Sequence, residues 1–119
     1  MKASIKDGEI GLKIFTPYVF EDHRGSYIEL YDRPHYQELG VDVDFVQEDI
    51  SITDKNVLRG LHGDHVTWKL VTCLRGSLYS VILDMNEDSP TYRQWAAVGL
   101  NDKTKLQVLI PPGYGKLSH

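Results

Sequence analysis

Val66-Thr67-Trp68-Lys69-Leu70-Val71-Thr72-Cys73-Leu74, the break Arg75-Gly76-Ser77, and Leu78-Tyr79-Ser80-Val81-Ile82-Leu83 form the stretch that decides the fold. Two apolar, β-rich runs flank a short break containing glycine, the pattern of two strands joined by a tight hairpin. Working outward, further runs of the same kind fall at 10–15, 26–31, 45–51, 57–61, 93–99 and 105–110. Turn residues separate them at 22–25, 86–90, 101–103 and in Pro111-Pro112-Gly113. One short helix is expected over 34–39, with Pro34 in its first turn and Gly40 ending it. No other segment holds a 3.6-residue apolar period over three turns. Many short strands at this spacing predict an all-β chain: a sandwich, jelly roll or small barrel.

The chain has 119 residues, one domain by length, and 41% of them are apolar. A chain of this size buries roughly two thirds of its unfolded surface, enough for a core without staples. Thirteen basic against seventeen acidic side chains give −4, with no Lys/Arg block. That balance argues against non-specific binding to nucleic acid or an anionic membrane. Cys73 is the only cysteine, so an intramolecular disulfide, a cysteine-based zinc site and a CxxC redox motif are all excluded. With no apolar run of membrane-spanning length and no leader-like opening, a cytoplasmic protein is expected.

Residues 57–71 crowd Arg59, His62, Asp64, His65 and Lys69 into an otherwise apolar pair of strands. Strand alternation puts Lys69 on one face with Thr67, Val71 and Cys73. If that face is the inner one, an ammonium points into the core and calls for an anion. If it is the outer one, Lys69 only snorkels along the strand.

An ordered set of motifs runs through nearly the whole chain. It begins with Phe20-Glu21-Asp22-His23-Arg24-Gly25, followed by Tyr27 and Glu29. Phe45-Val46-Gln47-Glu48-Asp49, Val57-Leu58-Arg59-Gly60-Leu61-His62 and Lys69-Leu70-Val71 follow. Asp84, Asp88-Ser89-Pro90-Thr91-Tyr92 with Trp95, and Ile110-Pro111-Pro112-Gly113 complete it. In this order the set resembles the dTDP-4-dehydrorhamnose 3,5-epimerases and related nucleotide-sugar epimerases. The resemblance implies a cupin-type jelly roll and a homodimer that exchanges N-terminal strands. It also implies a cofactor-free isomerase acting on a nucleotide-diphosphate 4-keto sugar, in deoxysugar or heptose synthesis for cell-surface polysaccharide.

Such a sugar has acidified protons at C3 and C5, beside the carbonyl. Inverting either carbon needs a base, a stabiliser for the enolate and an acid on the other face. A neutral histidine suits the base, and the resemblance gives that role to His62. It gives Lys69 the C4 oxygen, where charge develops only on the way to the enolate. Arg59 and Arg24 match the phosphate-contacting arginines, whose forks fit phosphate oxygens. Glu29, Gln47 and Asp49 match positions around sugar and base, with Arg24 and Glu29 reaching the neighbouring subunit's site. Asp84 is a candidate for orienting Lys69 or the sugar, against a role as a strand-end turn residue.

The chain departs from the family pattern in three places. After His62 the usual Tyr-Gln is Gly63-Asp64, a form closer to epimerases of GDP-linked 4-keto heptoses. The family histidine after Pro-x-Gly has its nearest counterpart in His119, with Lys116 intervening. The family's acidic tyrosine and base-orienting Asp lie later than position 119, so residues 1–119 are expected to be one cupin-like domain lacking the C-terminal segment. Two other readings compete: a non-catalytic nucleotide-sugar-binding cupin, and a metal cupin using His62, Asp64 and His65. In the metal-binding cupin frame, however, the second His is replaced by Asp64 and the Glu by Lys69, a cation that repels a divalent ion. No metal is therefore expected.

Overall fold

Leu12, Val108 and Ile110 meet Ile82, Ala96 and Leu100 in one buried cluster. That contact stacks two antiparallel four-stranded sheets in the computed structural model, which describes residues 2–119. The strands are β1 (Ser4–Asp7), β2 (Lys13–Thr16), β3 (Tyr18–Asp22), β4 (Gly25–Glu29), β5 (Arg59–His62), β6 (Lys69–Thr72), β7 (Ser77–Asp84), β8 (Trp95–Asn101), β9 (Gln107–Ile110) and β10 (Tyr114–Ser118). The first sheet runs β1-β2-β9-β6, the second β5-β10-β7-β8. A separate hairpin pairs β3 with β4. No helix among the described residues is long and apolar enough to cross a membrane.

The first sheet is covered on both faces, so all four residues of β9 are buried. Val108 and Ile110 enter the inter-sheet core. Leu109 turns the other way, onto Phe15, Tyr36 and Val41. Tyr36 comes from the one α-helix among the described residues, α1 (Arg33–Glu38), which places Pro in its first turn and ends before Gly40 at φ 98°. Its ring stacks on Phe15 with centroids 4.8 Å apart. Its hydroxyl donates to Gln107 Oε1 at 2.5 Å, and Gln107 Nε2 donates to the Leu30 carbonyl at 2.7 Å. Burial first, and then the Glu29 charge, push the Tyr36 phenol up to about 12.

Three sequence expectations change. Arg75-Gly76-Ser77 is not a hairpin: β6 pairs with β9, and β7 lies in the other sheet. The chain turns there, with Gly76 at φ 84°, because Val71 of β6, Cys73 just after it and Leu78 of β7 in the other sheet all pack on the same core cluster. Residues 45–51 form no strand; Val46 and Ile50 are 86% and 77% exposed and lack a sheet to pack on. The run at 10–15 starts late, because Ile10 lies in a 3-10 turn, Glu9–Gly11, and the strand begins at Lys13. Strands β1, β3 and β10 were not anticipated; each is too short or too polar for a pattern of apolar runs.

Candidate active site

β5 and β6 are edge strands of different sheets; every residue of β5 is exposed, His62 included, and every residue of β6 is half-buried. Lys69 is opposite Ile110 and Val71 opposite Val108 in the β6–β9 register. Ile110 and Val108 belong to the inter-sheet core, and Val71 and Cys73 pack against it. Directly paired residues project to the same face, so Lys69 points inward and the snorkelling alternative falls away.

His62 is the Cα partner of Lys116, which in turn pairs with the fully buried Ile82. His62 therefore lies on the inward face of the second sheet. Arg59 is three residues away and would project oppositely in a regular strand. A register irregularity between Lys116 and Ser118 pairs Arg59 with the buried Ser118 instead. Such a bulge re-aims a side chain, here returning Arg59 to the side of His62. The Arg59 Nε donates to Thr53 Oγ1 at 2.8 Å.

Lys116, which follows Pro-x-Gly and which the sequence pattern does not single out, faces inward beside His62. It is half-buried. Burial lowers its ammonium below the ordinary lysine value, and the charge of Lys69 lowers it further. Beside it on the same face, the Ser80 and Ser118 hydroxyls lie 3.3 Å apart in a buried pair.

His119 does not enter this space. Inward positions on β10 are Tyr114, Lys116 and Ser118, so alternation turns His119 outward, where it is exposed. Its backbone exchanges hydrogen bonds with Tyr79, itself 54% exposed. Asp84 is opposite the inward Tyr114 and fully buried. Its carboxylate accepts from Ser89 Oγ at 2.5 Å, Thr91 Oγ1 at 2.5 Å and the Asn86 amide at 2.9 Å. Burial raises this carboxyl, but those three residues outweigh it and hold it below the usual carboxylate range. Asp84 clamps the loop after β7.

The remaining expected contacts lie elsewhere. Arg24 sits at the tip of the β3–β4 hairpin, ion-paired with Asp22, and Glu29 ends the same hairpin. The Arg24 side chain and then its amide hold the Asp22 carboxyl low. Gln47 Nε2 donates to Asp49 Oδ2 at 2.9 Å in the irregular segment, both exposed. Among the described residues, no hydrogen bond joins these four residues to His62 or Lys69.

Gly63-Asp64 has a local explanation. A Cβ at Gly63 would stand 2.1 Å from the Tyr114 carbonyl oxygen, so only glycine lets β5 exit this close to β10. The Asp64 carboxylate accepts from the amides of Val66 (3.0 Å) and Thr67 (2.7 Å) and from Thr67 Oγ1 (2.8 Å). These bonds, the Val66 amide foremost, keep it below the usual carboxylate range. Among the described residues, His62, Asp64 and His65 do not converge as a ligand set.

A family model described as dTDP-4-dehydrorhamnose 3,5-epimerase matches residues 9–117. The dTDP-4-dehydrorhamnose 3,5-epimerase of Salmonella typhimurium is 41% identical over 118 residues, covering 96% of this chain and 64% of the relative. That of Methanothermobacter thermautotrophicus is 37% identical over 112 residues, covering 92% of this chain and 60% of the relative. Among solved structures, the dTDP-6-deoxy-D-glucose-3,5-epimerase of Legionella pneumophila, in complex with dTDP-4-keto-L-rhamnose, superposes with a TM-score of 0.90 at 36% identity. It is covered over 64% of its length by 98% of this chain. The chain thus spans less than two thirds of the length of these relatives, and the two-sheet architecture is their cupin-type jelly roll.

Proposed function

This chain belongs to the dTDP-4-dehydrorhamnose 3,5-epimerase family, and on that premise we propose that it epimerises a nucleotide-diphosphate 4-keto sugar. The observation that carries the reading is the inward pairing of His62 and Lys116 opposite the inward Lys69. In this reading His62 removes the proton at C3, C5 or both, and Lys69 stabilises the charge that collects on the C4 oxygen. Arg59 binds the diphosphate from the same edge. Arg24, Glu29, Gln47 and Asp49 complete the site from segments outside the sandwich. No cofactor takes part in this chemistry, which is proton transfer alone. Residues 1–119 act as one cupin-like unit, in the cytoplasm.

The working form we propose is a homodimer with exchanged N-terminal strands. Two features support it. The β3–β4 hairpin bonds to neither sheet. Leu61, Tyr79, Val81, Leu83, Trp95 and Leu117 line an apolar recess on the outward face of the second sheet. Analytical ultracentrifugation checks this point: a monomer at micromolar concentration overturns it.

The activity is tested by deuterium wash-in. The protein is incubated in D₂O with dTDP- and GDP-linked 4-keto sugars and followed by NMR. Deuterium at C3 or C5 is expected, identifying both the carbon and the nucleotide. Saturable binding of either sugar without exchange would overturn the enzyme reading in favour of a binding module.

A further inference from the structure

Two ammonium groups share the inner space with His62. Lys69 enters from the edge of the first sheet, where it faces the same way as the core residue Ile110. Lys116 enters from β10 in the second sheet, between His62 on one side and Ile82 on the other. Both lysines are half-buried. Among the described residues, neither forms an ion pair with a carboxylate. Asp64 feels the Lys69 charge, but its oxygens already accept hydrogen bonds from Val66 and Thr67. On the Lys116 face the neighbouring β7 positions are Ser80, whose hydroxyl pairs with Ser118, and Asp84, whose carboxylate is already taken by Ser89, Thr91 and the Asn86 amide.

Two like charges drawn partly out of water without a counter-ion form an unfavourable pair. An anion placed between them reverses the sign of the interaction. We propose that Lys69 and Lys116 form a two-ammonium cradle for the oxygen that gains negative charge, making Lys116 a second oxyanion-stabilising residue of the reaction. This assignment rests on the epimerase reading above. In the step, His62 takes the proton from the carbon beside the carbonyl. The C–H electron pair becomes the C=C bond, and the carbonyl π pair moves onto the C4 oxygen between the two lysines. Reprotonation at carbon reverses the shift, so no oxidant, reductant or co-reactant enters. The lowered proton affinity of Lys116 agrees with a cation that lacks its anion in the unliganded protein.

Lys116→Met keeps the apolar stem and removes the charge; Lys116→Arg keeps the charge. Deuterium exchange with the 4-keto sugars is measured for both, with kcat and KM separated, together with thermal melting without ligand. Lys116→Met is expected to lose on the order of 10²-fold in kcat with KM little changed, and Lys116→Arg to retain a larger share. Unliganded Lys116→Met should melt no lower than the wild type, because a like-charge repulsion is gone. Wild-type exchange in folded Lys116→Met overturns the proposal, as does a kcat loss matched by a loss of thermal stability. If the wild type itself exchanges no deuterium, the epimerase reading fails and inorganic phosphate tests the cradle separately. Phosphate should then raise the melting temperature of the wild type more than that of Lys116→Met. Equal responses of the two proteins overturn the cradle.

Discussion

His62 and Lys116 are direct register partners across the β5–β10 pair, and Lys116 in turn stands opposite the fully buried Ile82. The proposed base thus sits at the rim of the core, one strand from a half-buried ammonium. Replacing His62 with Asn preserves size and polarity and removes the titratable nitrogen. Deuterium exchange at the sugar carbon should vanish while nucleotide-sugar binding persists. Exchange at the wild-type rate would remove His62 from the mechanism.

Lys69→Met tests the other side of the site. The inward stem survives and the charge does not, so the core contact beside Val71 should be retained. Loss of one oxyanion-stabilising donor predicts a fall of about 10²- to 10³-fold in kcat. A rise in KM with kcat unchanged would instead mean that Lys69 binds the ground state.

Arg59 reaches the inward side through the β5 bulge and, among the described residues, is held by neutral acceptors, Thr53 Oγ1 and the Ile52 carbonyl. It is therefore free to pair with phosphate. Arg59→Ala should weaken nucleotide-sugar binding by roughly 10- to 100-fold, the value of a charged hydrogen bond. Titration calorimetry with the nucleoside diphosphate measures it, and unaltered affinity would argue against a diphosphate contact.

Asp84 accepts two hydroxyl bonds and one amide bond at the end of β7. Asp84→Asn replaces one acceptor oxygen with a donor and should cost about 1–3 kcal/mol. The folded carboxyl lies below its ordinary value of 3.8. Its contribution is therefore complete above 3.8 and is lost as pH falls through the lower folded value. Urea unfolding of wild type and variant should differ at neutral pH and converge in strong acid; a constant gap across that range would exclude the carboxylate as its source.

Tyr36 holds α1 to the first sheet through Phe15 and Gln107. Tyr36→Phe keeps the stacking and leaves Gln107 Oε1 without its donor, at a cost of about 1–3 kcal/mol. The phenol is raised from 10.0 to about 12, so its contribution is complete below 10 and disappears as pH rises through about 12. The variant should lack this share of alkaline destabilisation. Identical wild-type and variant melting curves from neutral pH upward would show that the hydroxyl bond contributes nothing.

Much of the inner surface was legible from alternation. In β7 and β8, Ile82, Ala96 and Leu100 occupy the core as a period of two requires. The short helix was readable because Pro34 and Gly40 act on the backbone locally. His62, Lys69 and Arg59 were found by resemblance, and their chemistry is consistent with the face on which they lie. The expected strand at 45–51 failed because its apolar residues say only that a partner surface is wanted, not where one is.

By itself, then, the sequence determined strand character, the turn positions and the alternation that joins Lys69 to Val71 and Cys73. Tertiary structure alone decided that Arg75-Gly76-Ser77 crosses between sheets, that β10 turns Lys116 inward and His119 outward, and that a bulge brings Arg59 to the side of His62. The physical reason is one of range. Alternation is set by each residue's own backbone, whereas sheet membership and register are set by hydrogen bonds between segments far apart in the chain, such as Lys69 with Ile110 and His62 with Lys116.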